Sequence, residues 1–187
     1  MAARLRIARL LARLLACATA LLAPVLTQAE PAHEHGALTL ALAVEGAGFT
    51  LDLESPLDNL IGFEHAPRSD AQRQAVRTLA QRLRSGALFV ANTEAGCSVR
   101  TVSLASAALP AALLGERTQA PPEAGHEGHA DLDASLSYAC QHPQALRTLT
   151  VKLADAFPGI RRITVQLATP RGQSQQVLSG TQRQLRW

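Results

Sequence analysis

Leu38, Leu40, Leu42 and Val44 alternate with smaller residues, the period-two pattern of a strand buried on one face. Gly46-Ala47-Gly48 makes a turn, and Phe49, Leu51 and Leu53 resume the alternation until Pro56. The pair predicts a β-hairpin. Ser69-Asp70 can cap a helix whose Val76, Leu79, Ala80 and Leu83 fall at helical spacing, with Gly86 as its stop. Leu88-Phe89-Val90 and residues 97–104 predict two further strands, the latter with Cys97, Val99, Thr101 and Ser103 on one face and Val102 and Leu104 on the other. Leu132, Ala134, Leu136 and Tyr138 alternate again and run into Cys140. Residues 144–157 predict a second helix, with Leu146, Leu149, Leu153 and Phe157 on one stripe, ended by Pro158-Gly159. Ile163, Val165 and Leu167 mark a strand, Pro170-Arg171-Gly172 turns into another around residues 176–178, and residues 181–187 add a short edge.

Between Leu104 and Leu132 the pattern fails. Pro110, Gly115, Pro121, Pro122, Gly125 and Gly128 punctuate residues 109–128, which predicts a central loop rather than a linker, because strands continue on both sides. Hairpins outnumber crossover units along the chain. The expected fold is therefore α+β: antiparallel β-hairpins with two helices packed on the sheet.

The first 29 residues stand apart from this pattern. Arg4, Arg6, Arg9 and Arg13 precede an apolar stretch from Leu14 to Leu26, and Thr27-Gln28-Ala29 offers small residues at the −3 and −1 positions of a cleavage site. That is the layout of a signal peptide over residues 1–29, which leaves residues 30–187 as a single mature domain. Cys17 offers a lipoprotein-type alternative, disfavoured by the bulky Leu15 and by an apolar run that continues beyond it. No later stretch is long and apolar enough to span a bilayer. The formal charge of +3 belongs to the leader: four of the eighteen basic residues lie there and none of the fifteen acidic ones does, so the remainder carries −1. Nothing basic and aromatic is left to suggest nucleic acid.

Export also decides the cysteines. Cys97 and Cys140 are the two that remain, and in an oxidising compartment they predict one disulfide rather than thiolate ligands, since neither belongs to a Cys-x-x-Cys pair. The bridge closes a long loop, a constraint worth about 3–4 kcal/mol in the chain-entropy model. With one Trp, one Tyr and four Phe in the whole chain, the core must be built from Leu, Val, Ile and Ala.

Histidine is where the chemistry gathers. Four of six histidines fall in two clusters, His33-Glu34-His35 before the first strand and His126-Glu127-Gly128-His129 in the central loop. Neutral imidazole suits borderline ions such as Zn²⁺, Cu²⁺ and Ni²⁺. His33 and His35 are two apart, so an extended segment projects both rings to one side. His126 and His129 reach one ion from a single turn, with Glu127 as an oxygen ligand or acceptor behind them. Two pairs supply the four ligands that Zn²⁺ takes, if the loop meets the N-terminus. Glu64-His65 is a third candidate, in a segment bracketed by Pro56 and Pro67; the alternative is that His65 bonds backbone carbonyls to hold its turn. His142 before Pro143 reads as a capping or exposed residue, and Asp52, Asp131 and Asp133 as solvated strand faces. His-Glu-x-x-His, Gly-x-Ser-x-Gly and phosphate-binding glycine loops do not occur, so no enzyme activity is expected.

Longer motifs then enter. His33-Glu34-His35-Gly36, the run Ser55-Pro56-Leu57-Asp58-Asn59-Leu60-Ile61-Gly62-Phe63-Glu64-His65-Ala66-Pro67, Tyr138-Ala139-Cys140, Ala156-Phe157-Pro158-Gly159 and Thr169-Pro170-Arg171-Gly172-Gln173 occur in this order. Together they resemble the ZrgA-like family of zinc-regulated periplasmic proteins, with Gly-Phe-Glu-His-Ala-Pro as the most specific piece. The resemblance implies a periplasmic zinc-binding protein that assists zinc acquisition, delivery or buffering, alongside components of an ABC-type zinc importer. Members often carry a long His/Asp/Glu-rich tract in the central loop. This chain keeps only His126, Glu127 and His129 there, which implies one or two defined sites rather than bulk storage. Zn²⁺ is the expected ion, with Cu²⁺ and Ni²⁺ as alternatives. The competing expectation is an exported interaction or assembly protein whose histidines are incidental.

Overall fold

In the computed structural model, residues 34–117 and 130–187 are described; the leader expected at residues 1–29, and His33, His126, Glu127 and His129, lie outside them. Among the described residues, nine strands form two sheets. β1 (Ala37–Glu45) and β2 (Gly48–Pro56) are the hairpin expected from the alternation, paired antiparallel from Thr39↔Glu54 to Glu45↔Gly48. β2 then pairs antiparallel with β5 (Asp131–Cys140), and β5 with β4 (Cys97–Ala105). On the other side β1 pairs parallel with β7 (Arg162–Thr169), and β7 antiparallel with β8 (Gly172–Ser179). The order is β4-β5-β2-β1-β7-β8, a mixed sheet rather than the set of simple hairpins expected. The parallel β1–β7 pair joins segments more than a hundred residues apart, and no local pattern encodes such a partner.

The second sheet is small: β3 (Phe89–Ala91), β6 (Thr148–Val151) and β9 (Gln184–Arg186), in the order β3-β6-β9. It overturns the second predicted helix. Leu146, Leu149, Leu153 and Phe157 are all buried, but Thr148-Leu149-Thr150-Val151 is extended and only Leu153–Ala156 is helical. The same leucines satisfy both periods over so short a stretch. β-branched Thr148, Thr150 and Val151 favour the pleated state.

Four α-helices occur among the described residues: α1 (Leu57–Ile61), α2 (Asp70–Arg84), α3 (Ala111–Leu114) and α4 (Leu153–Ala156). α2 is the helix expected after Ser69, whose side chain accepts the Gln72 N–H, while the Gln72 carboxamide accepts the Arg68 N–H. Its Val76, Leu79, Ala80 and Leu83 join one core with Leu38, Leu40, Leu42, Leu51, Leu53, Leu132, Leu136, Val165 and Leu149. The opposite face of the large sheet carries Thr39, Asp52, Glu54, Asp133, Ser135 and Gln166, all exposed.

The face assignment expected for β4 is corrected by a bulge. Val99 pairs with Tyr138 and Thr101 with Ser137, so Arg100 is an extra residue and the alternation inverts there. Cys97 and Val99 precede the inversion; Val102 and Leu104 follow it, on the less exposed side, while Thr101 and Ser103 face solvent. The expected disulfide is present: Cys97 and Cys140 are cross-strand partners bridged at 2.06 Å.

Candidate functional site

One end of the large sheet collects the chemistry. β1 and β5 start there, each antiparallel to β2, which ends there at Pro56 opposite Asp131. Two strand spacings therefore separate the starts of β1 and β5, about 10 Å. The strand β2 runs directly into α1, for which Pro56 supplies a pre-set φ and Gly62, at φ +79°, the left-handed stop.

Three successive residues of α1 bind the chain on both sides of it. Leu57 donates its N–H to the Ala130 carbonyl at 2.9 Å. The Asp58 carboxylate meets His35 Nδ1 at 3.1 Å. Asn59, buried, accepts the Gly36 N–H at 2.6 Å through Oδ1 and donates Nδ2 to the Ala37 carbonyl at 2.8 Å. His35 is thus not on an extended segment but in a turn, closed by the Ala37 N–H on the Glu34 carbonyl at 2.9 Å. Gly36 takes φ +86° at the third position of that turn, where a side chain is strained. A Cβ there would also lie 2.6 Å from the Arg161 guanidinium, which donates to the His35 carbonyl at 3.2 Å.

This geometry fixes what His35 can do. A carboxylate only accepts, so neutral His35 keeps its proton on Nδ1 toward Asp58 and presents the Nε2 lone pair outward. The ring is largely exposed, with 65% of its side-chain surface open to solvent. Glu34 is engaged in an ion pair with Arg162 rather than turned to the histidine.

The other sequence candidates fare differently. His33, His126, Glu127 and His129 lie outside the described residues, but the chain on both sides of the loop is anchored at this sheet end. Before it, the Glu116 carboxylate accepts the Leu104 N–H at 2.9 Å and pairs with Arg84. Arg84 also donates to the Leu114 and Val102 carbonyls. After it, Ala130 is held by Leu57. The Leu104 N–H, donated to the Glu116 carboxylate, holds that carboxyl below its ordinary pKa; burial opposes this and Arg84 supports it.

His65 Nδ1 meets the Ala66 carbonyl at 2.9 Å, the turn-holding alternative, and its ring lies against Phe63. Glu64 beside it is exposed. His142 is exposed at the start of a short 3-10 turn, without a side-chain cap. Asp52 accepts from Ser135 Oγ at 2.6 Å on the outer sheet face. Among the described residues, no three His, Cys, Asp or Glu side chains converge to hold an ion. No helix among them is long and apolar enough to cross a membrane.

Asp58 and Asn59 were not singled out as site residues by sequence reasoning. Their signal is an Asp-Asn pair directly after Pro56 and between apolar Leu57 and Leu60, inside the most family-like run. A comparison with curated proteins gives no match. A family model described as ZrgA family zinc uptake protein matches residues 32–187, which include every described residue. The chain belongs to the ZrgA family of zinc uptake proteins.

Proposed function

We propose that this protein binds Zn²⁺ in the bacterial periplasm through His33, His35, His126 and His129, and delivers or buffers it for a zinc importer of the ABC type. The observation that carries this reading is α1: Asp58 orients His35, while Leu57 ties down Ala130, the residue bonded in the chain to His129. His35 and Ala130 are thereby held by consecutive residues of α1. Glu127 would serve as a fifth ligand, through oxygen, or as an acceptor behind a ligating imidazole.

Fixing a residue's backbone costs about 1–2 kcal/mol. A loop anchored at Glu116 and at Ala130 needs less ordering on zinc binding than a free tail does. Imidazole binds Zn²⁺ and not Ca²⁺ or Mg²⁺ by preference, and Cu²⁺ and Ni²⁺ compete in vitro by the Irving–Williams order. Zinc in the cell is favoured by the family description. Glu64 and His65 stand outside the proposed site, because no further ligand gathers around them among the described residues. No catalytic step belongs to this reading.

The test is a Zn²⁺ titration of the disulfide-intact protein against a chromophoric chelator, beside a variant with His33, His35, His126 and His129 replaced by alanine. Sub-micromolar binding that is lost in the variant, and that weakens as pH falls below about 6.5 where imidazole protonates, is expected. Undiminished binding in the variant would move the site to Glu64-His65. Absence of binding in the parent would leave an interaction protein with incidental histidines.

A further inference from the structure

The two edges of the large sheet are finished differently. On β4 the outward backbone is closed off. The Leu104 N–H is donated to Glu116, the Val102 carbonyl accepts from Arg84 Nη1 at 2.9 Å, and the bulge at Arg100 breaks the line of the strand. At the opposite edge β8 has none of these devices. From Gly172 to Ser179 it carries no charged residue, no proline and no register shift. Its free backbone groups follow from its pairing. Arg162 of β7 donates its N–H to Gly36, toward β1, so the even-numbered residues of β7 bond to β1 and the odd-numbered ones to β8. The partners of the latter are Gly172, Ser174, Gln176 and Leu178, which leaves Gln173, Gln175 and Val177 with N–H and C=O directed away from the sheet. Among the described residues no hydrogen bond ends on these outward groups. Val177 is also 44% exposed, one of two large hydrophobic side chains left so open among the described residues.

An uncharged, unblocked edge is a template for another strand. A second copy of β8, run antiparallel about a two-fold axis at Gln175, pairs outward residues with outward residues. Gln175 meets its own copy and Gln173 meets Val177, each pair exchanging both N–H···O bonds. Charge agrees at the ends. In this register Arg171, whose guanidinium has no ion-pair partner among the described residues, comes opposite Ser179 of the second copy. Beside Ser179 stands Asp155, held there by Arg183, which also donates to the Gly180 carbonyl; its side chain is 56% exposed. We infer that this protein self-associates through β8 into a two-fold dimer whose large sheet continues across the axis, with Arg171 of each copy facing Asp155 of the other. The contact involves no histidine, so it stands apart from the zinc reading.

Sedimentation equilibrium of the disulfide-intact protein, freed of metal and kept in chelator, tests this. A strand pair makes an interface of the small, weak class, so a dimer dissociating at about 10–100 µM is expected. The diagnostic position is Gln175, exposed on the outer sheet face and meeting its own copy on the axis. Gln175→Lys and Gln175→Glu place like charges together, and each is expected to weaken the dimer at least about tenfold. An equimolar mixture of the two is expected to restore association as a mixed dimer, since opposite charges then meet. Loss of folding does not imitate that rescue. Monomer at every concentration up to about 1 mM would overturn the inference and leave the edge to an extended segment of another protein. So would a dimer unchanged by both substitutions, a mixture no more associated than either variant alone, or association that needs added Zn²⁺.

Discussion

A carboxylate behind an imidazole selects the tautomer and fixes the ring's orientation, and Asp58 stands in that position behind His35. Asp58→Asn is therefore expected to weaken zinc binding about 10–100-fold, read by chelator competition. Because the pair is exposed, the same change should alter unfolding free energy by no more than about 1 kcal/mol. Affinity equal to that of the parent would remove Asp58 from the site. Tyr138 illustrates the opposite case, a polar group whose role is internal. Its hydroxyl donates to the Gly86 carbonyl at 3.0 Å, its ring stacks on Phe49, and burial pushes its pKa up to about 12. The unfolded phenol titrates at the lower, ordinary value near 10. The folded state therefore holds a proton that the unfolded state has lost, and stability falls as pH rises from about 10 to 12. Tyr138→Phe should lack that alkaline loss in denaturation curves, while being less stable at neutral pH by about 1–2 kcal/mol for the orphaned carbonyl.

At the scale of elements, the amphipathic runs were legible because one face of each is buried in a single core: β1, β2, β5, β7 and α2 all follow their hydrophobic period. The stretch Leu146 to Phe157 is ambiguous because its four apolar positions, three leucines and Phe157, fit a helix while Leu149 and Val151 fit a strand as well. The bulge at Arg100 left no mark, since one extra residue changes no composition. The candidate site divides the same way. Histidines announce metal chemistry by type, whereas Asp58 and Asn59 acquire a role only when α1 is set against Gly36 and Ala37. Glu116 is likewise ordinary in sequence. Its bond to the Leu104 amide, opposed by burial and helped by Arg84, keeps its pKa below 4.5. That contribution to stability is complete above the unfolded value and disappears as pH falls through the folded one. Glu116→Gln should thus show a shallower loss of stability on acidification below about pH 4.5 than the parent, followed by urea denaturation at several pH values. An identical acid profile would mean that Glu116 does not anchor the loop's first end.

At the scale of the molecule, the mixed sheet matters more than its strand count. Placing β2 between β1 and β5 makes those two strands run parallel and start together, although their first residues are 94 apart in number, Ala37 and Asp131. A chain of local hairpins gives no such guarantee. The parallel β1–β7 pair adds Arg161 to the same end. The central claim is that the two histidine clusters serve one ion. The most direct measurement is a double-mutant cycle in zinc affinity and stoichiometry, using His33/His35→Ala, His126/His129→Ala and the combination of both. One zinc per chain, with either pair of substitutions costing nearly as much affinity as all four together, is the predicted result. Two zinc ions per chain, each abolished by one pair and unaffected by the other, would contradict it.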